Sequence, residues 1–231
     1  MKLISLCLFI AFSCSAFGQP SYSYGFNFAA GVSRVPMNGE NITFSTKIGP
    51  SGVAGLFFQT KLKKRGLLGV EVNLSQIEGR WTSEEQINDG FGNTIGTRFI
   101  SGKQHITYIS LPIFYGFTLK NCTLYGGMQF GLAASGKRAN SITTIISGDE
   151  NTSEELGNLS IVLPDFGTRI GAIWKISNKI SLEAKYYQGL LNIFDQETTK
   201  STYFWLTQQA TVGVRIALRN TNDCGTCPAW N

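Results

Sequence analysis

The feature that most constrains this chain is a period-two alternation of apolar and small polar residues, which recurs in eight segments. Successive residues of a β-strand point to opposite faces, so each segment predicts a strand with one apolar and one polar face. The connections between the segments alternate long and short, as they do in antiparallel up-and-down barrels. The predicted strands span residues 22–35, 51–62, 67–79, 105–119, 123–137, 163–176, 180–193 and 204–219.

This pattern predicts an all-β fold, an eight-stranded antiparallel up-and-down transmembrane β-barrel of the outer-membrane type. Alternation alone does not tell which face looks inward, and a soluble lipocalin-like barrel that holds a ligand against its apolar face is the alternative. The polar face is rich in Gly, Ser and Thr, which suits a crowded interior. Several predicted strands are longer than the ~9–11 residues that cross a bilayer. Aromatic residues also gather near strand ends, as interface girdles do. These features favour the membrane barrel.

Barrels of this type place short turns in the periplasm and longer loops outside the cell, and an even strand count puts both chain ends on the periplasmic side. The predicted short turns are residues 63–66, 120–122 and 177–179, and the predicted outer loops are residues 36–50, 80–104, 138–162 and 194–203. We therefore expect a protein of the outer membrane that is surrounded by its lipid.

The N-terminus has the composition of a secretory signal peptide. Lys2 precedes the apolar run 3–12, and Ala16 and Gly18 occupy a −3/−1 cleavage pair. Lipid modification of Cys14 is the alternative interpretation. No later apolar run reaches the ~20 residues that a membrane helix needs. The predicted domains are a signal peptide (1–18), a barrel (19–219) and a periplasmic tail (220–231).

Charge and cysteine content exclude several classes of function. Charged residues make up only 15% of the chain and the net charge is +5, so we expect no nucleic-acid partner. Cys224 and Cys227 follow the last strand without the helix that a redox motif opens, and with Cys122 they leave an odd number of cysteines after signal removal. His105 is the only histidine, so a four-ligand zinc site lacks partners. We expect no cofactor and no metal, and either a local disulfide or free thiols in the tail.

Six charged residues fall on the predicted inward face. Eight strands leave room inside for side chains and not for a water channel, so these charges must pair or be hydrated. The sequence thus predicts an interior polar network with a structural role, and an ion path is the alternative. Its members are Glu71, Arg169, Lys175, Glu183, Lys185 and Arg215.

One strand carries a resemblance to a known family. Residues 108–115, Tyr-Ile-Ser-Leu-Pro-Ile-Phe-Tyr, resemble the proline-containing strand of the PorT-like outer-membrane β-barrel proteins of Bacteroidetes. Residues 182–193, 69–75 and 165–167 resemble other strands of that family. The resemblance implies an eight-stranded barrel in a Gram-negative cell envelope, and for some members a link to secretion. It does not imply one activity.

Three functions remain open at this point. A small outer-membrane barrel enzyme would need a base near the outer rim, and His105 with Ser101, Ser110 or Asp89 is the candidate group. An interaction protein would use the long loops, since loops on a rigid scaffold are natural binding sites. A structural barrel would dock to an envelope or secretion partner through its turns and tail. We expect a non-enzymatic barrel of the second or third kind, with no catalytic residue.

Overall fold

The computed structural model describes residues 21–38, 44–62, 65–146, 149–158, 164–191 and 204–220. The predicted signal peptide, the loop 194–203 and the tail with Cys224 and Cys227 therefore lie outside the described residues. Within the described part of the chain, no helix is long and apolar enough to cross a membrane. All regular elements there are β-strands.

The strands are long and follow one another antiparallel. They are β1 (Tyr22–Arg34), β2 (Met37–Asn38), β3 (Phe44–Lys61), β4 (Gly66–Asn88), β5 (Thr94–Leu119), β6 (Cys122–Ile146), β7 (Asp149–Asn158), β8 (Asp165–Lys175), β9 (Ile180–Gly189), β10 (Phe204–Trp205) and β11 (Gln208–Asn220).

Eight of these strands close into a ring. In ring order they are β1, β3, β4, β5, β6, β8, β9 and β11, and β11 pairs with β1 to complete the circuit. Closure removes the unpaired edges that an open sheet would expose, as a chain in lipid requires. The fold predicted from the alternation is confirmed.

One end of the ring has tight turns, and we call it the turn end. β5 and β6 are joined there by two residues, of which Lys120 has a φ of 51°. Positive φ suits the two-residue turns whose twist matches that of the flanking strands. The Ile176 and Ser177 N–H groups both donate to the Ile180 carbonyl, which closes the β8–β9 turn. The predicted short connections at residues 120–122 and 177–179 are therefore present, whereas residues 63 and 64 of the third lie outside the described part of the chain.

The opposite end, the hairpin end, differs from the prediction. The expected loop 80–104 is mostly strand, because β4 continues to Asn88 and β5 begins at Thr94. The expected loop 138–162 likewise contains the end of β6 and all of β7, and residues 44–50 of the expected loop 36–50 belong to β3. The loop predictions were wrong because strands were predicted from alternating apolar residues on their outer face. The segments of the hairpin end lack that alternation although they are strands.

The extra strand length forms a five-stranded sheet outside the ring. Toward the hairpin end, the last pair between β8 and β6 is Asp165 with Gly131. In the same direction β5 and β6 remain paired as far as Gly96 and Ile146. β4 stays paired with β5 out to Asn88, and β7 pairs with β6 from residue 137 onward. We call this extension, with the first residues of β3, the projecting sheet.

The two faces of the ring follow the predicted assignment. Along β1 and β4 the side chains of Asn27, Glu71 and Asn73 are buried, whereas Phe28 and Leu74 are exposed on the outside. The burial pattern alternates in the same way along β5 and β9. The apolar face is therefore the outer face, which excludes the lipocalin-like arrangement with its apolar face inside.

Glycines on the inner face make room for flat-lying aromatic rings. A side chain at Gly69 would collide with the Phe114 ring, and one at Gly102 would collide with Trp81. Each of these glycines lies on a strand next to the ring that covers it. The glycines of the polar face thus have a packing cause, since a large ring can lie flat against the wall only where the paired residue of the neighbouring strand lacks a side chain.

Pro112 interrupts one ladder of the barrel. The pairing of β4 with β5 is absent where Glu71 and Val72 face Pro112 and Leu111, and it resumes in the same register on both sides. A proline has no N–H to donate, so the loss is confined to the ladder on that side. On its other side Pro112 pairs with Gln129 without a register shift.

Candidate functional site

The lumen contains a cluster of ion pairs around two buried glutamates. Glu71 Oε2 lies 2.9 Å from Arg169 Nη1 and 4.0 Å from Lys185 Nζ. Glu71 Oε1 lies 3.4 Å from Arg215 Nη2. The Asn27 and Asn73 amides donate to Glu71 Oε2 at 3.1 and 2.8 Å. Glu71 therefore exchanges its lost hydration for three cations and two amide donors, as a buried carboxylate must.

The second glutamate shares the same cations. Glu183 lies 3.2 Å from Lys185 Nζ, 3.4 Å from Arg215 Nη1 and 3.7 Å from Arg169 Nη2. The Tyr125 hydroxyl also donates to Glu183 Oε1 at 2.7 Å. The structure thus brings together five of the six charged residues that the sequence assigned to the interior. We call these five residues the lumen network.

Aromatic rings and tight packing complete the interior. Arg215 Cζ lies 4.2 Å from the centroid of the Phe57 ring, and Arg169 Cζ lies 5.9 Å from that of Tyr125. Beside the network, Arg169 and Lys185 line a cavity of only about 10 Å³. That volume holds about one water molecule. Side chains therefore fill the barrel at this level.

Lys175, the sixth predicted member, lies elsewhere. Among the described residues it forms no ion pair with either glutamate, because it ends β8 at the turn end. There it lines a cavity of about 200 Å³ together with Lys61, Lys120 and Lys179. Hydroxyl and amide side chains make up much of the remaining wall, and no carboxylate is among the lining residues. The turn end of the lumen is therefore a positively charged cup.

Of the predicted partners of His105, Ser101 shares the outer face of β5 with it but lies four residues away along the strand. Ser110 is buried in the lumen, whereas His105 is on the opposite, outer face of β5. Asp89 lies in the turn at the tip of the β4–β5 hairpin, beyond the last residue of β4. Instead, His105 Nδ1 lies 3.3 Å from Glu78 Oε2. The arrangement therefore joins an imidazole to a carboxylate and not to a serine.

Glu78 is the centre of a second charged cluster, the rim cluster, which sequence reasoning missed. The Arg80 Nε–H donates to Glu78 Oε1, and Lys103 Nζ lies 3.4 Å from Glu78 Oε2. The Glu78 side chain is 5% exposed, whereas those of Arg80 and Lys103 are each 46% exposed. Strand parity could have found the cluster, since Lys103 and His105 share the outer face with Ile109.

The rim cluster borders a trough on the outer surface of the projecting sheet. Lys47, Arg80, Lys103, Ala139 and Leu156 face one another in a single row across five strands. Directly opposite residues share a face, so this row forms one surface. The trough has a volume of about 510 Å³. Its remaining wall includes Thr82, Ser101, Ser141 and Glu154.

The tip of the β4–β5 hairpin is closed by Asp89. Its carboxylate accepts the Phe91 and Asn93 backbone N–H groups at 2.9 and 2.8 Å. The Asn93 side-chain amide adds a further hydrogen bond at 3.0 Å, and it is the main reason why the pKa of Asp89 lies below its ordinary value. Gly92 supplies the positive φ of 89° that the turn requires.

The closed ring, the apolar outer face and the polar filled lumen define an outer-membrane β-barrel. The chain belongs to the outer membrane protein beta-barrel domain family, whose model matches residues 13–195. Its location is the outer membrane. Curated proteins gave no match.

Several solved outer-membrane proteins are similar to this chain. The attachment invasion locus protein Ail of Yersinia pestis is 12% identical, with 86% of this chain and 99% of that chain covered and a TM-score of 0.42. Neisserial surface protein A is 11% identical, with coverage of 83% and 96% and a TM-score of 0.34. The outer membrane protease OmpT of Escherichia coli is 8% identical, with coverage of 86% and 96% and a TM-score of 0.36.

Proposed function

We propose that this protein is a non-enzymatic interaction barrel whose projecting sheet faces the outside of the cell and binds its partners there. The observation that carries the proposal is the sheet itself, which extends far beyond the closed ring. Strand length beyond the bilayer adds nothing to spanning it, and a rigid sheet holds a binding surface in place better than a loop does. Phe91 and Leu156 on this sheet are almost fully exposed.

The filled lumen supports a structural role for the barrel. The lumen network joins β4 to three neighbouring strands on the other side of the ring, β8, β9 and β11. A cavity of about 10 Å³ beside it leaves no continuous water path at that level.

The edge of the projecting sheet suits a partner other than a second copy of itself. Among the described strands, β7 is paired with β6 alone, so its other side is an edge of the described sheet. Four exposed acidic residues lie on this strand, and charged edge strands discourage edge-to-edge association of identical sheets. They are Asp149, Glu150, Glu154 and Glu155.

The turn end supports a second candidate function, docking to an envelope or secretion partner. The positively charged cup lined by Lys61, Lys120, Lys175 and Lys179 would accept an acidic side chain of a periplasmic protein. This role agrees with the resemblance of residues 108–115 to the PorT-like family, and we propose membership of that family. The proposal includes the signal peptide 1–18 and a Gram-negative source.

A topology experiment tests the orientation. A membrane-impermeant thiol reagent on intact cells should label Asp149→Cys in β7 and should leave the native Cys122 at the turn end unlabelled. Permeabilised cells are the control, in which the turn end also becomes reachable. Labelling of Cys122 in intact cells, with none at position 149, would invert the barrel and contradict the proposal.

A cross-linking experiment tests the interaction role. The control strain carries a shortened β4–β5 hairpin in which residues 85–98 are replaced by an Asn-Gly turn, so the ring is kept. We expect proteins cross-linked to the full-length barrel on intact cells to be lost in this strain. An unchanged set of cross-linked proteins would contradict the role of the projecting sheet, and enzymatic activity of the purified barrel would contradict its non-enzymatic character.

A further inference from the structure

The rim cluster lies on the face that looks toward lipid. On β5, Ile113, Leu111 and Ile109 are exposed on the outer face, and the same alternation continues without a bulge in β5 to His105 and Lys103. On β4, the outer face likewise passes from Leu74 to Arg80. Along the outer face of each strand, polar and charged residues therefore follow the hydrophobic ones toward the hairpin end.

The rim cluster lies beyond the hydrophobic belt of the barrel. His105 is four residues from Ile109 in the direction of the hairpin end, which is about 13 Å along a strand that rises ~3.3 Å per residue. With a strand tilt of about 40°, the rise along the membrane normal is roughly 10 Å. The rim cluster thus begins roughly 10 Å beyond the apolar outer-face residue Ile109, on the side where the polar groups of the surrounding lipids lie.

The rim carries more positive charge than its own carboxylates neutralise. Glu78 is shared by Arg80, Lys103 and His105, and Glu154 is the other carboxylate in the trough. Lys47 faces Arg80 and Lys137 faces His105, and both are exposed. Four permanent cations therefore stand against two carboxylates, and three hydroxyl side chains provide further donors: Thr82, Ser101 and Ser141.

We infer that the trough and rim cluster bind the phosphorylated headgroup of an outer-leaflet glycolipid. Phosphate esters are the anions that such a set of Lys, Arg and hydroxyl donors recognises. Glu78 holds Arg80 and Lys103 beside one another, so the two cations are positioned before the lipid arrives. The choice of leaflet rests on the proposed function, in which the hairpin end faces outward.

A binding measurement on the folded full-length barrel in detergent micelles tests the inference. The probe is bisphosphorylated lipid A, and the comparison probe is the same lipid A with both phosphates removed. We expect the double variant Arg80→Gln/Lys103→Gln to bind the phosphorylated probe about ten-fold more weakly, since it removes two half-exposed cations that would pair with the phosphates. The matched control Arg65→Gln/Arg219→Gln removes two exposed arginines at the turn end, outside the trough and the positively charged cup, and should change binding less than two-fold. Heat-modifiable gel mobility verifies that every variant is folded.

Equal binding of both lipid probes, or equal binding by wild type and the double variant, would overturn the inference. Inorganic phosphate is a third probe, and wild-type affinity for it equal to that for phosphorylated lipid A would replace the lipid site by a small-anion site. Binding in micelles does not depend on orientation in the cell. An inverted barrel would thus contradict the proposed function while phosphate recognition persisted, and failed lipid binding would leave the topology result intact.

Discussion

Two glutamates of β4, seven residues apart, show how one side-chain chemistry serves two purposes. Glu71 points into the lumen and Glu78 points outward at the rim, and each is almost fully buried by the cations around it. The partners of Glu71 are themselves buried, whereas those of Glu78 are nearly half exposed. The lumen network therefore acts as an enclosed plug, while the cations of the rim cluster remain available to a second anion.

The largest effect should come from removing the lumen carboxylate. Glu71→Gln leaves Arg169 and Arg215 with less counter-charge inside the barrel, and breaking a buried pair in this way costs about 3–5 kcal/mol. The free energy of unfolding in urea, followed by heat-modifiable mobility in lipid vesicles, measures the loss. Glu84→Gln on the exposed projecting sheet is the control and should stay within about 0.5 kcal/mol of wild type. Equal stability of both variants would show that the lumen charges are hydrated.

The second largest loss of stability should come from an arginine on the outer face of the barrel, and it tests which surface contacts lipid. Leu182 is exposed on the outer face of β9, and Leu182→Arg should cost about 2–4 kcal/mol if it lies near the bilayer midplane. Leu156 on the projecting sheet is 84% exposed, so Leu156→Arg should cost about 0.5 kcal/mol or less in the same unfolding assay. A similar cost at both positions would mean that the projecting sheet is also immersed in lipid.

A smaller loss of stability should follow from removing a neutral hydrogen-bond donor of the lumen. Tyr125→Phe removes the hydroxyl that donates to Glu183 Oε1, and the loss of one such hydrogen bond to a charged group costs about 1.5–3 kcal/mol. Tyr115→Phe, on the exposed outer face of β5, is the matched control. If the two variants unfold at the same urea concentration, the ion pairs alone satisfy Glu183.

The sequence predicted the ring because lipid enforces a strict alternation. Side chains such as Phe28 and Leu74 must be apolar where they meet hydrocarbon, and their small polar neighbours must fit the lumen. The same alternation predicted that Glu71 and Glu183 face the lumen, although the sequence did not show which residues pair with them. Lys175 was grouped with these glutamates because alternation tells which face of a strand a residue is on. It does not tell how far along the barrel axis the residue lies.

The projecting sheet escaped prediction for the same physical reason. Outside the bilayer neither face of a strand has to be apolar, so residues 138–146 and 149–158 show no period of two in hydrophobicity. β-Branched runs such as Thr143–Ile146 were the remaining signal for strand. The rim cluster was missed because its residues fell in the expected loop 80–104 or beside it, where parity was not followed.

The smallest loss of stability is expected for Glu78→Gln, and its dependence on salt distinguishes Glu78 most clearly from Glu71. Glu78→Gln should lower the free energy of unfolding by about 1 kcal/mol or less, because Arg80 and Lys103 are half exposed and keep most of their hydration when the carboxylate is lost. Salt screens exposed pairs far more than enclosed ones, so the effect should fade between 0.1 and about 1 M NaCl. The cost of Glu71→Gln should persist over the same range. A salt-independent loss of several kcal/mol for Glu78→Gln would place the rim cluster among the enclosed structural networks, and its cations would then be committed to the fold and not to a ligand.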